Sequence, residues 1–291
     1  MQKTKTDSIL PHSRSAADLS TMPDSEQTQH RPRSHSFQLT LIWMAVVPLL
    51  LLVTLTGLCY LTQLDLLTTH QFFSAQGDPF PYGETLLANL IYDYGPIPAI
   101  IFGVGSVAVW LGSYLFTSLR SWRKEALFCS LAIVIGPGIL INTVLKPNWG
   151  RPRPCDTVVF GGAYNYVPPG TIGPYEMAKS FPSGHASMGF VFLIPAFLLL
   201  RKNPNAAMCV FVVGFACGAG VGGSRIAEGG HYLSDIAWSG AIVYFTGLTL
   251  YVAMYGWKQP DISALATAET VPFSREGVKD NVEEVRKSSA A

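Results

Sequence analysis

Charge is what this sequence has little of. Asp, Glu, Lys and Arg together make 13% of its 291 residues, against about 25% in an ordinary soluble domain. That shortage excludes a soluble globular enzyme of the usual kind. The charges that exist nearly cancel, to a formal net +1, so nucleic acid is not expected as an electrostatic partner. Between Thr62 and Pro96 there is no Lys or Arg at all. Cysteine is sparse too: of Cys59, Cys129, Cys155, Cys209 and Cys217, only Cys155 lies in a polar loop, where it has no evident mate. Neither a disulfide framework nor a zinc spacing is present, and the four cysteines inside apolar runs read as small hydrophobes.

Apolar sequence fills the space that charge leaves. Hydrophobic residues make 49% of the chain and gather in runs near Leu39–Leu61, Ile97–Phe116, Leu127–Leu145, His185–Leu200, Ala206–Gly223 and Ile236–Tyr255. Each approaches the ~20 residues that cross a bilayer core, the fourth and fifth being short. The expected fold is therefore all-α, a polytopic bundle of six transmembrane helices over residues 37–256. Residues 1–36 are polar and without apolar periodicity, a disordered tail. Their length argues that the first apolar run is kept in the mature protein rather than cleaved as a signal peptide. Residues 257–291 form a second polar tail, with a short helix expected at Val282–Arg286.

Basic residues set the orientation. Lys3, Lys5, Arg14, Arg31 and Arg33 precede the first run. Arg120, Arg123 and Lys124, then Arg201 and Lys202, then the C-terminal tail, all fall on that same side of a six-span chain. Both termini are expected in the cytoplasm. Thr62–Pro96, rich in Phe, Tyr and Leu, is expected to lie along the outer interface. Pro48, Pro137 and Pro195 fall inside spans as kink positions. Gly214, Gly218 and Gly222, each four apart, permit close helix contact.

Against this charge rule, Lys146, Arg151, Arg153, Lys179 and Arg225 sit on the outer side. Either they snorkel to headgroups or they line a wet, occupied site. Three motifs carry or adjoin them. In Lys146-Pro-Asn-Trp-Gly-Arg-Pro-Arg153-Pro154, two cations are poised to grip an anion across a proline-stiffened loop. In Ser180-Phe-Pro-Ser183-Gly184-His185, Ser183 caps a helix whose free amides suit an anion, beside a histidine able to donate a proton. In Ser224-Arg225-x5-His231-x3-Asp235, the four-residue spacing stacks histidine and carboxylate on one helix face. The carboxylate can fix the tautomer and leave the other ring nitrogen free to attack. Singly, each motif has a bland reading: a lipid-facing basic loop, a simple cap, an incidental histidine. On one face they supply two histidines, one carboxylate and three cations, which membrane packing does not require.

These three motifs, with the six-span frame, resemble the type-2 phosphatidic acid phosphatase superfamily, which includes vanadium haloperoxidases and bacterial acid phosphatases. The resemblance implies phosphoryl transfer through a phosphohistidine, with no metal and no cofactor. His231 is then the nucleophile, Asp235 its orienting carboxylate and His185 the acid and base. Lys146, Arg153, Arg225, Ser183 and Gly184 hold the equatorial oxygens. Alignment and charge neutralisation are what such transfer needs, and no carboxylate cluster for a metal is visible in the sequence.

Gly229–Asp235 and Trp149–Pro154 look most like the lipid A phosphatases of Gram-negative inner membranes. That likeness implies a periplasmic site acting on lipid A, with the aromatic loop Cys155–Lys179 placed to meet a sugar headgroup. Undecaprenyl pyrophosphate and phosphatidylglycerol phosphate remain alternative substrates. A lipid-to-lipid phosphotransferase would share every catalytic residue. A haloperoxidase or a non-enzymatic transporter fits less well, the first because of the spans, the second because it needs no paired histidines.

Overall fold

The computed structural model describes residues 33–256. The two expected tails, including Val282–Arg286, lie outside the described residues except for 33–36, which belong to the first helix. All the regular structure among the described residues is helical, apart from one isolated bridge between Thr157 and Tyr164. Five helical stretches are long and apolar enough to cross a membrane: Phe37–Thr62, Leu86–Gly112, Thr117–Asn148, Pro204–Ala227 and Leu233–Tyr255. A shorter apolar stretch, Gly184–Leu199, corresponds to the fourth apolar run, His185–Leu200. Trp43, Leu51, Leu61, Ile101, Leu115 and Val213 are exposed on the outside of the bundle, an apolar surface suited to lipid. The chain is a multi-pass membrane protein.

α1 (Arg33–Thr62) begins earlier than its apolar run, because nothing between Arg33 and Leu39 breaks a helix. Gln63, in the left-handed region at φ 55, ends it and redirects the chain into the short α2 (Leu64–His70). The second span differs most from expectation. Part of the segment expected along the interface, α3 (Leu86–Tyr94), runs through Gly95 and Pro96 into α4 (Ile97–Gly112) as one apolar stretch. Leu86, Leu87, Leu90 and Ile91 carry its hydropathy upstream of Pro96, and a proline at the first turn of α4 gives up an N–H the helix does not need.

α5 (Arg123–Ile133) continues as a π-helical stretch, Val134–Leu145, around Pro137. Proline has no N–H to give to the preceding turn, and the ladder slips by one residue. Asn142 Nδ2 donates to the Pro137 carbonyl at 2.7 Å, and Thr143 Oγ1 to that of Gly138 at 3.0 Å, both five residues back. Lys146 follows at once. Pro195 likewise divides the short span into α6 (Gly184–Phe190), a 3-10 turn and α7 (Ile194–Leu199).

α8 (Pro204–Ala227) packs on α6 and α7 along its glycine stripe. A Cβ on Gly214 would strike the backbone of Leu193, one on Gly218 the ring of Phe190, and one on Gly222 the side chain of Ile236. These glycines serve packing. α9 (Leu233–Tyr255) lies against α6 and ties back to α1. Trp238 Nε1 donates to Thr56 Oγ1 at 3.1 Å, and Tyr244 Oη to the Met44 carbonyl at 2.8 Å. One end of this bundle gathers the loops that carry all three motifs.

Candidate active site

The start of α9 is the centre of the site. Gly229, at φ +64, reverses the chain after α8, and the amides of Gly230 and His231 both return to the Arg225 carbonyl, at 2.9 and 3.2 Å. His231 is thereby fixed beside Arg225, 1% exposed. It precedes the helix rather than sharing a helical face with Asp235. Asp235 occupies the third position of α9 and closes a capping box with Tyr232. Their approach is His231 Nδ1 to Asp235 Oδ2 at 3.7 Å, ion-pair range and too long for a hydrogen bond. Burial pushes the His231 imidazole below the usual histidine range, against the opposing pull of Asp235.

Asp235 is held from every side. Its Oδ2 accepts from Ser180 Oγ at 2.6 Å and from the Tyr232 amide at 2.9 Å, and its Oδ1 accepts from Arg151 at 2.5 Å. Arg151 neither snorkels nor lines a wet pocket: it is fully buried. One arm reaches Asp235 and Ser234 and the other reaches Asp65 at 2.7 Å, while its Nε donates to the Val167 carbonyl. Its guanidinium also lies 4.4 Å from the ring centre of Tyr232. Burial alone would pull the guanidinium's pKa down, but Asp235 and Asp65 overturn that and hold it above its ordinary value.

Lys146, Arg225 and His185 lie near His231. Ser183 caps α6, accepting from the Ala186 amide at 3.3 Å. Gly184 lies so near Lys146 that a Cβ there would sit 3.4 Å from Nζ and 2.8 Å from Asn142 Oδ1. His185 stacks on Tyr92, ring centres 4.7 Å apart and planes 21° from parallel, and Arg225 sits over the same tyrosine at 4.6 Å. Lys146, Arg153, Arg225 and His231 all act electrostatically on His185. Arg153 is exposed at the rim, whereas Arg225 is buried and gripped by Glu228, whose other oxygen accepts from Ser224 at 2.7 Å.

In the loop Cys155–Lys179 not every aromatic faces outward. Phe160 is buried against Phe73, Phe80 and Tyr232, and Tyr166 packs edge-on to Tyr232. Phe160 is thus part of a small aromatic core, whereas Tyr166 is half-buried and Tyr164 is exposed. Tyr164 and Tyr175 pair with each other, ring centres 4.7 Å apart.

Sequence reasoning missed Asp65, Tyr92, Ser180 as a partner of Asp235, and Glu228. Asp65 had a readable signal: a carboxylate flanked by leucines at the end of an apolar run, a costly place for a charge. Tyr92 had none.

A membrane-embedded helical bundle with a buried His–Asp pair amid cations is an apparatus for handling anions at a bilayer surface. The PAP2 superfamily model matches residues 126–259. A lipid A 4'-phosphatase of Francisella tularensis subsp. novicida is 30% identical over 198 residues, 67% of this chain and 88% of that protein. One from Rhizobium leguminosarum is 36% identical over 179 residues, 58% of this chain and 74% of that protein. A lipid A 1-phosphatase of Rhizobium etli is 33% identical over 159 residues, 51% and 57% of the two chains. Among solved structures, a transmembrane PAP2-type phosphatidylglycerolphosphate phosphatase from Bacillus subtilis aligns with TM-score 0.44 at 20% identity, over 80% of this chain and all of that one. The chain belongs to the PAP2 superfamily.

Proposed function

We propose that this protein is a lipid phosphate phosphatase that removes a phosphate from the headgroup of lipid A, without a metal, through a phosphohistidine. The observation that carries the reading is the burial of His231 beside a fully engaged Asp235, ringed by Lys146, Arg225 and His185. Packing alone does not account for a histidine kept dry among cations. Neutral His231 attacks phosphorus, the P–O bond to the lipid breaks, and His185 gives the leaving oxygen its proton. His185 then takes a proton from water, the hydroxide attacks phosphorus, and the P–N bond breaks to release phosphate. Lys146, Arg153 and Arg225, with Ser183 and the Gly184 amide, neutralise the charge on the equatorial oxygens. Asp235 stabilises the positive imidazole between the two steps.

The relatives named as 4'-phosphatases favour that phosphate, since the Francisella protein is matched over 88% of its length, against 57% for the Rhizobium etli 1-phosphatase. The charge pattern supports cytoplasmic termini and a periplasmic site in a bacterial inner membrane. The test is phosphate release by purified protein in detergent with EDTA, from lipid A, undecaprenyl pyrophosphate, phosphatidylglycerol phosphate and phosphatidic acid. His231→Ala serves as the blank. Selective release from lipid A, with mass analysis placing the loss at the 4' position, is expected. Release mainly from undecaprenyl pyrophosphate, or only without EDTA, overturns the substrate or the metal-free chemistry respectively.

A further inference from the structure

Asp65 lies outside all three motifs, yet it is bound into the same buried network as Asp235. It is fully buried at the start of α2. Its Oδ2 accepts from Arg151 at 2.7 Å and from Ser234 Oγ at 2.5 Å, and its Oδ1 from the Ser234 amide at 2.9 Å. Tyr166 Oη approaches Oδ2 at 3.5 Å. Arg151 is thus shared: it bridges Asp65 and Asp235 and meets no water.

The charge balance follows. Asp235 and Arg151 alone would be a closed pair of net charge zero, and a neutral pair does little for a cation beside it. With Asp65 added, two carboxylates face one guanidinium, and the network carries net charge −1. The positive group that completes it is the imidazole of His231, 3.7 Å from Asp235, when it is protonated or phosphorylated. In a dry site an unmatched charge of this kind acts strongly on its neighbour.

We infer that Asp65 is a positioning residue of the reaction, which holds Arg151 and so leaves the charge of Asp235 available to the phosphorylated His231. The inference rests on the assignment of His231 as nucleophile. Asp65 touches neither substrate nor phosphorus. It acts through Arg151 and through the amide of Ser234, which fixes the first turn of α9. Bond changes at phosphorus are unaltered; the residue changes the energy of the cationic imidazole alone.

Asp65→Asn removes the excess charge and keeps the shape. The groups facing His231 are Asp235 on α9, Arg225 on α8, Lys146 after α5 and His185 on α6, and the variant changes none of them. The titration of His231, followed by NMR of histidine-labelled protein in detergent, should move toward lower pH by about one unit. The same electrostatic free energy acts on phosphohistidine formation, so kcat should fall about tenfold with KM little changed. Asp65→Asn/Arg151→Met removes one charge of each sign, leaves Asp235 unshared at net −1, and should bring the His231 titration back to or above its original position. Losing Arg151 leaves Asp235 buried without its cation, so thermal unfolding in detergent first shows which variants are folded. In the double variant a downward displacement overturns the inference. If it too fails to fold, Asp65→Glu, which keeps the charge, is read instead and should leave the titration in place, a downward displacement again overturning the inference. With the single variant folded, an unmoved His231 titration overturns it. Absence of phosphate release by the unmodified protein counts against the enzymatic reading instead, because the NMR titration needs no turnover.

Discussion

Glu228, the residue that ends α8, forms an ion pair with Arg225 three residues earlier, and both side chains are largely buried. The carboxylate takes one arm of a guanidinium that the proposed chemistry needs for phosphate. It therefore stands where an anion's negative charge would act, and substrate has to compete with it or share the cation.

Replacing Glu228 with Gln keeps the hydrogen-bonding shape toward Ser224 and Arg225 while removing the competing charge. The expected result is a fall in KM for lipid phosphate of about threefold to tenfold, on the scale of ~1 kcal/mol for one such pair, with kcat changed less. A rise in KM would mean that Glu228 holds Arg225 in its working position rather than screening it.

Much of this arrangement was legible from residues alone, and the parts that were not share a cause. The motifs were readable because they set cations, histidines and a carboxylate at short fixed spacings: Ser183 does cap α6, and Lys146, His185, Arg225, His231 and Asp235 do converge. The apolar runs were readable because the bilayer demands length. Arg151 was ambiguous because its burial depends on Asp65, 86 residues away, and no local pattern reports a partner at that distance. Phe160 looked like a surface aromatic because Phe73 and Phe80, which cover it, lie in a different loop. The second span was drawn from Ile97, whereas the apolar stretch begins at Leu86 and runs through Gly95 and Pro96.

The glycine stripe of α8 supplies a test of packing that is independent of chemistry. A Cβ on Gly214 meets the backbone nitrogen of Leu193, which cannot swing aside, whereas one on Gly220 meets nothing within 4 Å. Gly214→Ala should lower stability by about 1–3 kcal/mol through overpacking. Gly220→Ala should be neutral or mildly stabilising, since alanine favours helix by up to ~1 kcal/mol over glycine. Thermal unfolding in detergent checks both; equal effects at the two positions would remove the case for close contact along this stripe.

The dry setting of His231 fixes the sign of the acid dependence. Burial lowers the imidazole's pKa in the folded protein, so the ring stays neutral, as the proposed attack requires, after an ordinary histidine has protonated near about 6.5. The His231 limb of the kcat/KM profile should therefore lie below that value, and activity should persist as pH falls through it. The same shift links to stability. The unfolded chain binds the proton first, so His231's contribution to folding is complete above about pH 6.5 and is lost progressively as pH falls below it, toward the lower folded value. A rate profile measured with a saturating panel of buffers at constant ionic strength, alongside unfolding at matched pH, checks both arms. A His231 limb above about 6.5 would place the net pull of Asp235 over the cost of burial and reverse both expectations.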